Sequence, residues 1–242
     1  MNQIRFYFHL FRFHLREGLS DLKSSLIGMV LFSFFVILLT QLWQRFSSKG
    51  SVFTTEEVFV YLGITETLYM TFLRTDAIRS ASDEFLLSMV RPRSWLIQCF
   101  VKICGDTLAK RLGYFLMLIP TLILVGVWKV QLFEVFLRFL MMILVLSLPQ
   151  AIFTLTFSTA RLTLPQTEYL VLPFGKLFLA LGGVFGPLSD YGEPWRSFLL
   201  YLPGSDLFFQ PAFWAIKGHF YNTSPESWML RTCGFCLFLR TA

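Results

Sequence analysis

The chain has 242 residues and a net charge of +6, and 55% of its residues are hydrophobic, 18% aromatic and 15% charged. A soluble domain of this size has about 25% charged residues, so the composition excludes an ordinary soluble domain and predicts one integral membrane domain over residues 1–242. Because Lys and Arg in membrane proteins mostly mark the cytoplasmic side, the positive charge does not indicate a nucleic-acid partner.

The N-terminal stretch RFYFHLFRFHLR is aromatic but carries too much charge to cross a bilayer. On an α-helix, which turns about 100° per residue, Arg5, His9, Arg12 and Arg16 fall within about 60° of one another. A basic stripe on a helix with aromatic rings on its other sides is typical of the membrane interface, where arginines reach anionic headgroups. We therefore predict an interfacial N-terminal helix that contacts membrane lipids.

Six apolar segments are predicted to cross the membrane as helices, because a span needs about 20 mainly apolar residues. Pro149 falls inside the fourth segment, where a proline indicates a kink more often than an end. The sixth segment is short for a span and contains Arg231. No signal peptide is expected, because the first apolar segment is already long enough to span. The six segments are residues 24–44, 58–73, 112–128, 139–160, 169–189 and 225–242.

Two charged residues interrupt predicted spans, Glu66 in the second and Lys176 near the middle of the fifth. A lysine at the centre of a spanning helix costs about 2.5–3.5 kcal/mol on insertion scales. Each side chain is therefore expected to face a partner, a water-filled path or an interface rather than lipid. These two residues are candidates for a translocation path. The sequence leaves open whether they pair with each other or each reach an interface.

The distribution of Lys and Arg predicts the orientation of the chain. With the N-terminus inside, 13 Lys and Arg fall in cytoplasmic segments, seven of them between Arg74 and Arg111, against six in outer segments. Cytoplasmic loops carry an excess of these residues, so the asymmetry favours a cytoplasmic N-terminus.

The long inner segment between the second and third spans contains DEFLLSMVRPRSW, residues 83–95. Ser82 can cap a helix whose first turn is acidic, and the proline ends it, since the residue before proline avoids the helical conformation. The pattern predicts a two-turn amphipathic helix parallel to the membrane, which suits a handle that another protein moves. Its apolar side contains Phe85, Leu86, Met89 and Val90, and its polar positions and end are Asp83, Glu84, Arg91, Pro92 and Arg93.

Two stretches resemble the permease subunits of bacterial type-2 ATP-binding-cassette (ABC) exporters. DEFLLSMVRPRSWLIQCF, residues 83–100, is similar to a segment of those permeases that runs from an acidic residue through leucines and Arg-Pro back into the membrane. GGVFGPLSDYGEPWRSFLLYLPGSDLFFQPAFWAIKG, residues 182–218, is similar to their outer re-entrant region between the fifth and sixth spans. The order of the segments matches over nearly the whole chain.

The resemblance implies an all-α permease of the bacterial inner membrane that exports an unidentified amphipathic substrate. It implies a dimer with a second permease chain, identical or related, and a separate ABC ATPase that binds ATP and Mg²⁺. It also implies that residues 83–93 couple the ATPase to the permease. Because permeases of this class continue with a longer sixth span, the resemblance further implies that the short sixth segment is incomplete, through truncation or a frameshift. No cofactor and no enzymatic activity are expected on this chain, which lacks a G-x-x-x-x-G-K-[ST] phosphate loop.

Two other classes of function stay open at this stage, a membrane-integral enzyme and a structural or assembly subunit. An intramembrane serine protease needs a nucleophile motif such as G-x-S-x-G and a histidine within a span, whereas His9, His14 and His219 lie outside the predicted spans. Cys233 and Cys236 have the spacing of a redox motif, but they lie in an apolar tail, where we expect packing rather than redox chemistry.

Overall fold

The computed structural model describes residues 3–20, 26–46, 52–72, 78, 85, 94–126, 132–164 and 166–232. These residues form helices and connecting turns without a β-strand, so the predicted all-α class is confirmed. A 3₁₀ turn, Leu188–Asp190, and a π-helical segment, Ser205–Phe209, follow the sixth helix, and residues 225–232 are helical again. The α-helices are α1 (Gln3–Ser20), α2 (Leu26–Phe46), α3 (Thr55–Met70), α4 (Trp95–Val125), α5 (Leu132–Thr163), α6 (Thr167–Leu181), α7 (Trp195–Leu200) and α8 (Gln210–Lys217).

Local sequence explains several helix ends. Thr54 begins α3 with a capping box, in which the Thr54 hydroxyl accepts a hydrogen bond from the Glu57 backbone N–H at 3.3 Å. The Glu57 carboxylate in turn accepts one from the Thr54 N–H at 2.8 Å. Gly126 ends α4 and Gly218 ends α8, both with φ of 79°, a conformation that glycine adopts at little cost.

Helix α3 lies at the centre of the fold and packs against α2, α4, α8 and the π-helical segment. All of its residues from 58 to 68 are buried. Beyond its C-terminal end, the rings of Phe72, Phe153, Phe178 and Phe208 form a cluster in which neighbouring centroids are 5.3–5.8 Å apart. The cluster joins α3, α5, α6 and the π-helical segment into one core.

Helix α1 packs along the first half of α4. The two helices approach closely at glycines: a Cβ at Gly18 would lie 2.7 Å from Ala109 Cβ, and one at Gly105 would lie 3.1 Å from the carbonyl oxygen of Phe11. Both distances are shorter than ordinary van der Waals contact, so small residues at these positions allow the helices to touch.

Among the described helices, one segment, Phe133–Thr163, is long and apolar enough to cross a membrane by length and composition. Two further segments, Val30–Trp43 and Tyr169–Leu181, are apolar but shorter. Helix α4 has 31 residues, but its first 17 include four charged side chains. The six-span arrangement therefore rests on the sequence pattern.

The predicted fifth span, residues 169–189, is longer than the helix that forms there. Helix α6 ends at Leu181, and the chain then turns through residues 182–186. Gly183 has φ of 78°, which is outside the helical region. The run of apolar residues continues past this point, but the glycines end the helix.

The predicted third span also differs from the helix that contains it. The sequence placed its start at residue 112, directly after the last charged side chain, whereas α4 already begins at Trp95. Charged residues do not interrupt helical hydrogen bonding, and α1 covers this half of α4. Pro149 lies inside α5 and, as expected, does not end it.

Candidate functional site

Three polar side chains from three different elements meet in the core. Thr71 follows α3, Arg111 lies in the middle of α4 and Gln150 lies in the middle of α5; their exposed fractions are 1%, 3% and 1%. We refer to these three residues, with the carbonyl of Ile143, as the Arg111 site. Polar groups buried this deeply are costly unless they are hydrogen-bonded, so their contacts are informative.

Hydrogen bonds connect the Arg111 site across α3, α4 and α5. Arg111 Nε donates to Thr71 Oγ1 at 3.0 Å, and Arg111 Nη1 donates to the carbonyl oxygen of Ile143 at 3.3 Å. Gln150 Nε2 donates to the carbonyl oxygen of Thr71. Thr71 is the C-cap of α3, where the last carbonyls have no partner within the helix. Its carbonyl is therefore free to accept the bond from Gln150.

The Arg111 guanidinium has no carboxylate beside it in the part of the chain that the structure describes. No Asp or Glu among the described residues lies within 4.0 Å of its guanidinium group, and both of its acceptors are neutral oxygens. Gln150 Oε1 is also buried and accepts no hydrogen bond from the described residues. The site thus combines a buried cation with a free acceptor.

A small cavity borders the Arg111 site and has room for about one water molecule. Arg111 and Gln150 form its polar side. Its apolar lining includes residues of the π-helical segment, so the site adjoins the segment that follows α7. The apolar lining residues are Leu68, Phe72, Leu146, Leu207 and Phe208.

The two charged residues noted in the sequence occupy opposite environments. Glu66 is 1% exposed on α3, and its Oε2 has no hydrogen-bond partner among the described residues. Lys176 is exposed on α6. No ion pair joins Glu66 to Lys176 or to Arg111 within the described part of the chain. Glu66 is thus enclosed in the core, whereas Lys176 lies on the exposed surface of α6.

A second polar pair, of a buried aspartate and a partly exposed arginine, connects the π-helical segment to residues 225–232. Arg231 Nη2 lies 3.0 Å from Asp206 Oδ1, and the Asp206 side chain is 5% exposed. Trp228 Nε1 donates to the carbonyl oxygen of Asp206 at 2.9 Å, and Arg231 also donates to Thr223 Oγ1 at 3.2 Å. Unlike Arg111, Arg231 therefore has a carboxylate partner.

The region predicted to be re-entrant, residues 182–218, packs along α3. Tyr61 Oη donates to the carbonyl oxygen of Gly183 at 2.6 Å. At the N-terminal end of α3, Lys217 Nζ lies 2.9 Å from both carboxylate oxygens of Glu57. These contacts attach both ends of the region to one helix.

Helix α7 presents an aromatic surface from within that region. Trp195 and Phe198 are exposed, whereas Leu199 is buried. The Glu193 carboxylate before the helix accepts hydrogen bonds from Ser197 Oγ and from Arg196 Nη2, each at 2.7 Å. These bonds lower the pKa of Glu193, so its carboxylate stays ionised near neutral pH.

The basic stripe of α1 lies on the side of the helix that does not contact α4. Arg5, His9, Arg12 and Arg16 are all exposed. The partly buried rings and aliphatic side chains of α1, such as Phe11 and Leu15, face the core instead. The helix thus presents its cations to its surroundings.

Most residues of the predicted ATPase handle lie outside the described part of the chain. Phe85 is described: it is helical and half-buried, and its ring lies 5.1 Å from that of Trp95 at an angle of 76°. The residues outside the described ranges are Asp83, Glu84, Leu86, Met89, Val90, Arg91, Pro92 and Arg93.

The sequence pattern does not predict the Arg111 site. Arg111 falls among the charges of the predicted cytoplasmic segment, and Gln150 follows Pro149 inside the fourth predicted span. The signal that could have revealed the site is a glutamine within the most apolar predicted span. Among the described residues there is no group of three or more His, Cys, Asp and Glu side chains placed to hold a metal ion.

No known protein family matches the chain, and no curated protein is similar to it in sequence. Its function is therefore inferred from the residue pattern and the geometry of its buried polar groups.

Proposed function

We propose that this chain is the membrane-spanning permease subunit of an ATP-driven exporter of the type-2 ABC class. In this proposal it crosses the bacterial inner membrane six times with its N-terminus in the cytoplasm. It pairs with a second permease chain and with a separate ATPase, which supplies the energy. The cargo is an amphiphile that leaves the cytoplasm.

The observation that supports this proposal is the distribution of polarity in the fold. Ionisable and amide side chains, Glu66, Arg111 and Gln150, are buried at the centre, whereas the outward faces of α2, α5 and α6 carry many large apolar side chains. Soluble proteins rarely expose large contiguous apolar surfaces, and ionisable residues inside a membrane bundle commonly mark a transport pathway. The large exposed apolar side chains include Leu31, Phe34 and Leu38 on α2, Leu137, Met141 and Leu144 on α5, and Leu170, Leu172 and Leu177 on α6.

The lengths of the helices fit a membrane bundle in which residues 182–218 re-enter the membrane from the outer side without crossing it. Helix α5 has 32 residues, about 48 Å, which exceeds the bilayer core of about 30 Å. Helices α3 and α6 have 16 and 15 residues, about 24 Å and 22 Å, and are shorter than the core. Residues 182–218, which pack along α3, would fill the remaining depth on the outer side. Irregular backbone at membrane depth is tolerated where it is buried in protein.

The orientation can be tested with single cysteines in a chain whose four native cysteines are replaced by serine or alanine. In intact cells, a membrane-impermeant maleimide should label a cysteine at Gly192, where a side chain meets no atom within 4 Å. It should not label one at Ser80 until the membrane is permeabilised. Labelling at Ser80 in intact cells would refute the cytoplasmic position of the segment that contains the handle.

The ATPase partnership can be tested with a double substitution in the handle. Phe85→Ala with Leu86→Ala should leave insertion unchanged but lower the co-purified ATP hydrolysis activity by about tenfold or more, because buried interface side chains carry most of the binding energy. The matched control is Trp195→Ala with Phe198→Ala, an exposed pair on the opposite side in this topology. Equal ATPase recovery and transport in all three proteins would contradict the coupling role of residues 83–93.

A further inference from the structure

We propose that Arg111 and the Gln150 amide bind the acidic group of the exported amphiphile, and that this group carries a hydrogen-bond donor of its own, as a phosphomonoester does. The inference rests on the proposed function, because it names the chemical class of the cargo that the permease carries. The proposed binding residues are those of the Arg111 site in the core.

The unbalanced charge of Arg111 indicates an anionic ligand. A guanidinium group has five N–H donors, and the two described hydrogen bonds leave three of them without an acceptor among the described residues. An unpaired charge in a protein interior costs several kcal/mol, whereas an anion held by several N–H groups offsets much of that cost. Arg231 differs in both respects, because its side chain is 32% exposed and lies 3.0 Å from the Asp206 carboxylate.

The free oxygen of Gln150 narrows the class of anion. Gln150 Nε2 donates to the carbonyl oxygen of Thr71, so Oε1 is the amide atom that has no partner among the described residues, and the Gln150 residue lines the cavity. A fully ionised anion offers only acceptors to this oxygen. A singly ionised phosphomonoester offers both hydrogen-bond acceptors and a donor. Its charged oxygens accept from Arg111, and its remaining hydroxyl donates to Gln150 Oε1.

The apolar walls of the cavity suit the rest of an amphiphile. The cavity has room for about one water molecule, so an acidic headgroup enters only when a wall moves. The wall formed by Leu207 and Phe208 belongs to the π-helical segment. Phe208 closes the cavity against Phe72 through an edge-to-face contact with ring centroids 5.3 Å apart. Single π-helical turns occur frequently at functional sites, and displacement of this one would open the site.

Binding of dodecyl phosphate to the purified chain tests the proposal. The chain is placed in nanodiscs of neutral phosphatidylcholine, with empty nanodiscs as the blank, at about pH 5, below the second phosphate pKa of about 6. Dodecyl phosphate should bind at least about tenfold more tightly than dodecyltrimethylammonium, which has the same chain and the opposite charge. Arg111→Gln should weaken phosphate binding by about tenfold to a hundredfold, the range expected for charge-assisted hydrogen bonds.

Two further comparisons make the test specific. Lys110→Gln removes the neighbouring cation on the same helix and should leave the affinity unchanged. Dodecyl methyl phosphate keeps the negative charge but has no hydroxyl, so it should bind more weakly than dodecyl phosphate, and Gln150→Leu should abolish that difference. If Arg111→Gln does not fold, Arg111→Lys retains the positive charge and should retain the preference for the anion.

The proposal is overturned if Arg111→Gln binds dodecyl phosphate as tightly as the original chain, or if the original chain does not distinguish the anionic from the cationic probe. Because no ATPase is present, these results are independent of the exporter proposal. A chain that binds the anion through Arg111 but captures no ATPase would retain the anion site and lose the exporter function. A chain that captures the ATPase but binds both probes equally would retain the exporter function and lose the anion site.

Discussion

Helices α3 and α6 are similar in length and hydrophobicity, but other helices enclose α3 and leave most of α6 exposed. Both are short and apolar, and the predicted span that overlaps each helix contains one charged residue, Glu66 in residues 58–73 and Lys176 in residues 169–189. Every residue of α3 from 58 to 68 is buried, and Glu66 is 1% exposed. In α6 most described side chains are exposed, including Lys176, and the buried ones, such as Val171 and Phe178, lie on one side.

The difference follows from the neighbours of each helix. Helix α3 is surrounded by α2, α4, α8 and the π-helical segment, whereas α6 packs mainly against α5. A helix that is apolar all round is expected to be buried, in protein or in lipid, and its sequence does not distinguish the two. The environment of a charge in an apolar helix therefore depends on the packing around that helix.

Reversing the sign of the charge at Glu66 in α3 and at Lys176 in α6 should give the largest difference in stability between variants of the two helices. Glu66→Lys places a cation in the closed core and should lower the free energy of unfolding by about 3–5 kcal/mol, the usual cost of an uncompensated buried charge. Lys176→Glu should leave stability unchanged, because the side chain is exposed. Thermal unfolding of both variants in a maltoside detergent measures the contrast.

Glu66→Gln is the control for this experiment, since it keeps the shape and removes the charge. It should be at least as stable as the original chain, because the buried Oε2 of Glu66 has no partner among the described residues. If Glu66→Lys and Lys176→Glu were equally stable, the two helices would not differ as the structure indicates.

Adding bulk at the glycines of the two helices should give a smaller difference. A Cβ at Gly63 in α3 would lie 2.3 Å from Leu118 Cδ1, whereas one at Gly175 in α6 meets no atom within 4 Å. Gly63→Val should therefore destabilise the protein by about 1–3 kcal/mol through overpacking. Gly175→Val changes the same residue type in the same secondary structure, so the difference between their melting temperatures isolates the packing effect. Equal melting temperatures would be inconsistent with a close contact between α3 and α4.

Removing one tyrosine hydroxyl from each helix should give the smallest difference in stability between variants of the two helices. Tyr61 is fully buried and donates to the carbonyl oxygen of Gly183 at 2.6 Å. Tyr61→Phe should cost about 1 kcal/mol, the typical net value of a hydrogen bond. Tyr169 in α6 is 79% exposed, so Tyr169→Phe should have no measurable effect on chemical or thermal unfolding. A larger loss from Tyr169→Phe would indicate an unseen contact of α6.

The sequence predicted the all-α class and the approximate positions of the apolar helices, because these depend on local hydrophobicity and on helix-ending residues. It predicted helix from residue 139 to residue 160, and α5 covers that range. It misplaced the end of α6, because apolar residues continue beyond the glycines at positions 182 and 183. Hydrophobicity does not report the backbone conformation of a glycine.

Prediction of the candidate site was less complete, for a physical reason. The basic stripe of α1 follows from helical periodicity alone, and Arg5, His9, Arg12 and Arg16 do lie on one exposed side. The Arg111 site depends on residues 40 and 39 positions apart along the chain, Thr71, Arg111 and Gln150. Hydrophobic periodicity carries no information about which polar residues of different helices meet.

By itself, the sequence determined that the chain is helical, rich in apolar residues and asymmetric in its basic residues, because composition and local periodicity encode these properties directly. Tertiary packing alone determines that Glu66 is enclosed and Lys176 exposed, and that Arg111 lies in the core with no carboxylate beside it among the described residues. The physical reason is that burial and charge pairing are properties of the space between helices. That space is created by contacts such as those of α3 with α4, which join residues distant in the chain.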